Sequence, residues 1–232
     1  MLMKLVICIL LSSTIILSSC KKEGTQSSEH AQSGQQTRTE QAPQDITALV
    51  FSYSGKVELN DAQIKRGDIV KYGDSITTFE DGICEIIIKK KNIFKLGKNS
   101  KLIFKISPTE NNFMLEKGWF SGVSKEKFSN LETYNIVSPA VVAGVRGTSY
   151  CVKVENPNAT YFCVCNGTIK LKGSGEQEGS NISSPHHIAR RFTLAGNKVK
   201  IDTNPGMLYH TDRDIENLAK KINVSIDWTR TD

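Results

Sequence analysis

Cys163-Val164-Cys165 is followed by His186-His187, then by Met207 and His210, so three of the chain's four histidines lie just downstream of a closely spaced cysteine pair. In an extended strand successive side chains alternate faces, and Cys163 and Cys165 are therefore expected to point the same way. With histidines from the later segments they form a set of soft donors, Cys163, Cys165, His186, His187 and His210, of the kind that holds zinc or copper. A second chemistry is open to the same residues. Cys151 and Cys163 flank Glu155-Asn156-Pro157-Asn158 at nearly matched distances, so they are a candidate cross-strand disulfide, leaving Cys84 and Cys165 to pair or to stay buried. A third reading is a thiol enzyme pairing Cys163 or Cys165 with His186 or His187, although nothing in the sequence orients such a pair.

Other catalytic signatures are missing. The sequence has no Gly-x-Ser-x-Gly elbow, Walker loop, dinucleotide fingerprint, His-Glu-x-x-His pair or haem-attachment Cys-x-x-Cys-His. A non-enzyme is expected. The net charge of +6 is scattered through strands and turns, which favours solubility and weak attraction to anionic surfaces but not nucleic-acid recognition. Lys89-Lys90-Lys91, the densest basic run, falls where a hairpin turn is expected.

The remaining cysteines concern the N-terminus. Met1 to Lys4, the apolar run Leu5 to Ser19, and Leu17-Ser18-Ser19-Cys20 read as an export signal ending in a lipoprotein processing site. Cys20 is the expected lipidation site, an acyl anchor that holds the chain on a membrane without spanning it. The signal would occupy 1–19. Residues 20–46 would be an acylated cysteine with a polar, flexible tether, because Gln, Ser, Thr and Glu cannot bury enough surface to offset the entropy of ordering.

The elements that must position the donors follow. From Ala48 onward, runs of β-branched and aromatic residues alternate with Gly, Asp and Asn, which predicts an all-β domain of many short strands, a sandwich, barrel or solenoid, over 47–172. A C-terminal extension, 173–232, is expected to open with a Gly- and Ser-rich loop over Gly173 to Ser184. It closes with one short helix, capped by Thr211 and carrying Ile215, Leu218, Ala219 and Ile222 as a stripe that docks on the β domain.

Several motifs share one order. Ser138-Pro139 precedes Gly144-Val145-Arg146-Gly147-Thr148-Ser149-Tyr150; upstream lie Ser54-Gly55-Lys56-Val57, Gly67-Asp68-Ile69-Val70, Gly73-Asp74-Ser75-Ile76-Thr77-Thr78 and Leu115-Glu116-Lys117-Gly118; downstream lies Asn166-Gly167-Thr168-Ile169. The pattern, over roughly Val50 to Leu171, resembles the FecR domain. In that family the domain is periplasmic and relays a signal from an outer-membrane iron-complex transporter to a cytoplasmic sigma factor. That route needs a transmembrane helix and a cytoplasmic segment, which the sequence is not expected to supply. Gly144, Arg146, Gly147 and Thr148 are read as scaffold: the glycines for special backbone conformations or close approaches, Arg146 for strand-end carbonyls or for Asp68 or Asp74. The two Gly-Asp pairs lack the ligand spacing of a calcium loop and are read as turns.

The sequence thus points to a lipid-anchored envelope lipoprotein, facing the periplasm or the outer surface, with one FecR-like β domain. Its expected role is non-catalytic binding, scaffolding or signalling toward an envelope protein or glycan. A metal-binding envelope sensor is the alternative, and a thiol-dependent enzyme the second alternative.

Overall fold

The computed structural model describes residues 46–126, 131 and 133–231. Cys20, the proposed signal and most of the proposed tether lie outside them. The described residues belong to one compact unit that begins at Gln41. They form sixteen β-strands and one α-helix, Asp212–Lys220. Among them, no helix is long and apolar enough to cross a membrane.

Two long strands organise the fold. Asn111–Ser124 pairs through its first half with Lys101–Ile106 and, in parallel, with Tyr134–Val137; through its second half it pairs with Asn92–Leu96 and Ser149–Asn156. Ala159–Gly173 likewise pairs first with Ser149–Asn156 and Ile188–Ala195, then with Val141–Val145 and Ser180–Ser184. Because Tyr134–Val137 also pairs with Val141–Val145, five strands close into a small barrel, and the solenoid reading is set aside. The remaining strands extend this ring into a continuous 16-stranded sheet.

Glycines sit where the long strands change partners. Gly118 has φ +87° and Gly167 φ +115°, and a Cβ on either would strike Ser100 or Thr148 respectively. These are positions that only glycine fills without strain. The inner core is aromatic: Phe94 and Phe113 have ring centroids 4.8 Å apart, Phe120 and Tyr134 pack beside them, and Tyr150 stacks on Phe162 at 5.9 Å.

Strand alternation splits the sequence between two cores. Phe94, Tyr150, Val152, Phe162 and Val164 face the inner core, while their neighbours Ile93, Cys151, Tyr161, Cys163 and Cys165 face outward. That outer face is covered. The helix lays Ile215, Leu218, Ala219 and Ile222 on it, joined by Val224, Ile226 and Trp228 of the terminal segment. Thr211 caps the helix through a reciprocal hydrogen-bonded box with Asp214, as its position before the apolar stripe predicts. Burying a side chain the size of Ile or Leu contributes about 1.5–3 kcal/mol, so the stripe alone is enough to dock a helix this short.

The C-terminal extension differs from the expected loop and helix. It contributes three strands, Ser180–Ser184, Ile188–Ala195 and Lys198–Asp202, which continue the sheet from Ala159–Gly173. Their polar composition hid them, for they are held by backbone pairing and little apolar burial. Asp68 and Asp74 close their own turns by accepting from the backbone amides of Lys65 and Lys71, both at 2.7 Å, which supports the turn reading and leaves them as turn residues rather than partners of Arg146.

Candidate metal centre

The cluster is built on the outward positions of Ala159–Gly173. Cys163 and Cys165 do point the same way and both are fully buried. Two segments bring histidines over them. His187 sits in the bend between Ser180–Ser184 and Ile188–Ala195, in a left-handed conformation with φ +48°, its amide held by the Cys165 carbonyl at 3.0 Å. His210 arrives just before the helix, following Tyr209, which has φ +66°. Non-glycine residues in this region mark sites the surrounding structure over-determines.

The donor atoms converge. Cys163 Sγ lies 3.5 Å from His187 Nδ1, Cys165 Sγ 3.3 Å from His210 Nε2, and the two imidazole nitrogens 3.2 Å from each other. One ligand atom from each of Cys163, Cys165, His187 and His210 falls within 4.8 Å of all the others. Both rings are anchored through the opposite nitrogen. His187 Nε2 faces Asp212 Oδ1 at 2.9 Å, and His210 Nδ1 faces the Leu208 carbonyl at 2.8 Å. Partners of this kind fix ring orientation and tautomer at metal sites.

His186, the fifth candidate, does not join them. It is exposed, bonds the other Asp212 oxygen at 3.0 Å, and packs against Trp228. Adjacent histidines thus separate, one inward and one to solvent. Cys151 and Cys163 stand directly opposite each other, as the expected hairpin requires, but all four cysteines of the described residues are free thiols. The candidate disulfide is not formed in this structure: Cys163 Sγ faces His187, and Cys151 Sγ accepts from Trp119 Nε1–H at 2.7 Å.

The electrostatics match. The two thiols are shifted in opposite directions, and the imidazoles are raised. Cys163 is pulled down to about 4, chiefly by its hydrogen bond with Cys165 and then by those with His187 and His210, against the effect of burial. Burial raises Cys165 well above the ordinary thiol value, with Cys163 adding to it. For His210, burial acts downward but is outweighed by hydrogen bonds with Cys151 and Cys163, and the ring rises to about 10.

Cys163, His187 and Asp212 also form a nucleophile, base and orienting acid in sequence, an arrangement the sequence reading did not foresee because Asp212 reads only as a helix-start residue. A thiol nucleophile, however, needs access to substrate. Cys163 is fully buried beneath the extension, and a second thiol and a second imidazole point at the same spot. That geometry suits an ion better than a substrate.

Two of the motif residues, Gly147 and Thr148, shape the turn. Thr148 Oγ1, fully buried, donates to the carbonyls of Arg146 and Thr168 at 2.9 and 3.1 Å, and so ties the turn to the neighbouring strand. Gly147 has φ +60°, which a side chain would strain. Gly144 departs from the expectation: a Cβ there would meet Asn135 Oδ1 at an ordinary 3.6 Å, so no close approach requires glycine.

A body of short strands closed into a small barrel, with one short helix laid on it, defines an all-β domain. Residues 74–170 match the family model described as FecR protein. No curated protein matches the chain significantly. Two solved structures of a candidate anti-sigma factor from Parabacteroides distasonis, at 1.65 and 2.50 Å resolution, each align with a TM-score of 0.43 and 10% identity. Each alignment covers 56% of this chain and 59% of that protein, so this chain spans less than two thirds of it. Cys163 and Cys165 lie inside the matched FecR stretch, whereas His187 and His210 lie beyond it.

Proposed function

We propose that the protein is a non-catalytic FecR-domain module of the cell envelope, held to a membrane through lipid on Cys20, that works by binding or signalling to an envelope partner. The observation that carries this reading is the FecR domain itself. Its residues 74–170 are the body of the barrel, and its Arg146-Gly147-Thr148 element is used for tying strands together. The sealed position of Cys163 supports a role without thiol catalysis. The anchor rests on Leu17-Ser18-Ser19-Cys20 and the apolar run before it.

Whole-cell cross-linking followed by identification of the attached protein or glycan tests the reading. An envelope component is expected; exclusively cytosolic adducts overturn it. Cys20→Ala should release the protein from the detergent phase, and unchanged partitioning refutes lipidation there.

A further inference from the structure

We propose that Cys163, Cys165, His187 and His210 bind one zinc ion in a closed tetrahedral site, and that this ion fastens the C-terminal extension to the FecR-domain sheet. The proposal stands apart from the envelope reading, since it uses only the geometry of these four residues and their cover.

Zn–N bonds of about 2.0–2.1 Å and Zn–S bonds of about 2.3 Å place the ligand atoms of a tetrahedron roughly 3.3–3.8 Å apart. The sulfur–nitrogen separations of 3.3 and 3.5 Å and the nitrogen–nitrogen separation of 3.2 Å sit close to that spacing. The four atoms therefore have only to close slightly on a common centre. His187 Nδ1 and His210 Nε2 are the nitrogens turned toward the sulfurs, while Asp212 and the Leu208 carbonyl hold the opposite nitrogens.

Charge and access decide the kind of site. Two thiolates neutralise a divalent ion, so the filled site carries no net charge into a buried location. Four protein donors leave no open position for water or substrate, which is the mark of a structural and not a catalytic zinc site. Copper(II) prefers square-planar or tetragonal coordination, which this arrangement does not offer.

The mechanical consequence follows from where the ligands come from. Both cysteines are on one strand of the FecR domain, His187 is in the bend of the added hairpin, and His210 is in the lead to the helix. One ion would cross-link all three, and would cover an apolar face that includes Ile93, Val123 and Tyr161. Metal ligation is then part of the folding energy of the extension.

The full chain, purified untagged in detergent under reducing conditions, is to be equilibrated with zinc and analysed for bound metal. One equivalent is expected, retained in His186→Ala and falling below about a tenth of an equivalent in Cys163→Ser and His210→Ala. Cobalt substitution should give the thiolate charge-transfer and strong visible bands of a tetrahedral site, a readout that does not depend on any variant folding. Wild-type protein that takes up no zinc, takes up cobalt without those bands, or selects copper(I) over zinc in competition overturns the zinc assignment. So does a Cys151–Cys163 disulfide in protein isolated from cells. Hydrogen exchange tests the fastening: chelation should deprotect residues 205–231 well before the barrel strands, and unchanged protection overturns that part.

Discussion

Asp212 holds His187 by its outer nitrogen, Oδ1 to Nε2 at 2.9 Å, and thereby aims the inner nitrogen at Cys163. The same carboxylate is the first residue of the helix, so the cover and the cluster are joined at one side chain. Asp212→Asn should keep the helix but lose the charge that favours an imidazole donating from Nε2. Zinc affinity is expected to fall by about 10–100-fold, the range usual for such outer partners. Titration against a chromophoric chelator measures it. An unchanged affinity, with circular dichroism also unchanged, would show that Asp212 serves the helix alone.

Lys221 and Glu85 make a second tie between the extension and the sheet, with Nζ at 2.5 and 2.7 Å from the two carboxylate oxygens. Their exposures differ: the Glu85 side chain is 7% exposed and that of Lys221 40%. Removing the lysine strands a carboxylate that keeps the Ser52 hydroxyl as a donor, while removing the glutamate leaves a lysine that water can reach. Lys221→Met should therefore cost more than Glu85→Gln, by about 1–2 kcal/mol after allowance for the exposed lysine. Urea unfolding of both variants gives the order, and the reverse order contradicts this account.

Glycine substitutions should rank by backbone and space. Gly118→Ala and Gly167→Ala combine a left-handed φ with a collision, at 2.1 Å from Ser100 Oγ and 2.8 Å from Thr148 Cγ2, and each is expected to lose at least about 2 kcal/mol. Gly147→Ala meets open space and carries only the conformational strain, about 1 kcal/mol. Gly144→Ala should be near neutral. Thermal denaturation of the four variants checks the ranking, and a costly Gly144→Ala would restore the special role expected of it from the motif.

This ranking also marks how far the sequence could be read. Alternation placed Cys163 and Cys165 on one face, and the three- and four-residue spacing of Ile215, Leu218, Ala219 and Ile222 placed the helix and its docking side. Both are local periodicities, visible without tertiary information. The choice between His186 and His187 was not, because a single left-handed residue at the bend decides which ring turns inward. Asp212 and Trp119 were missed for a related reason. Their roles come from pairing across 25 and 32 residues, and their types fit a helix start and a strand equally well. The strands from Ser180 to Asp202 escaped notice because their stability comes from hydrogen bonding to an edge already formed, and their polar side chains leave no apolar pattern.

Cys84 offers a check on burial. It belongs to the inner core, and its thiol is pushed up to about 12, first by burial and then by the Glu85 charge. Alkylation at about pH 8 needs both a thiolate and a path to it, and Cys84 has neither. Iodoacetamide should label it only after denaturant is added, at a rate following global unfolding. Labelling in native buffer as fast as a free thiol would mean that Ile83–Ile88 opens independently.

The last prediction concerns acid. Glu155 accepts from Arg191 at 2.8 and 2.9 Å and from the Tyr209 hydroxyl at 2.6 Å, tying the hairpin strand to Ile188–Ala195 and to the segment ahead of His210. Its carboxyl is held below the usual range, mainly by the Arg191 hydrogen bond. For an acid whose folded value is depressed, the added stability is fully present above the unfolded value, about 4.3 for glutamate, and disappears as pH falls through the lower folded value. At neutral pH the wild type should exceed Glu155→Gln by about 1 kcal/mol, a figure kept small because the pair is partly solvated. The gap should persist down to about pH 5 and close below about pH 4. Because the cluster takes up protons alike in both proteins as the pH falls, the difference between their melting curves isolates this one carboxylate. A gap that widened in acid would place the stabilising charge elsewhere.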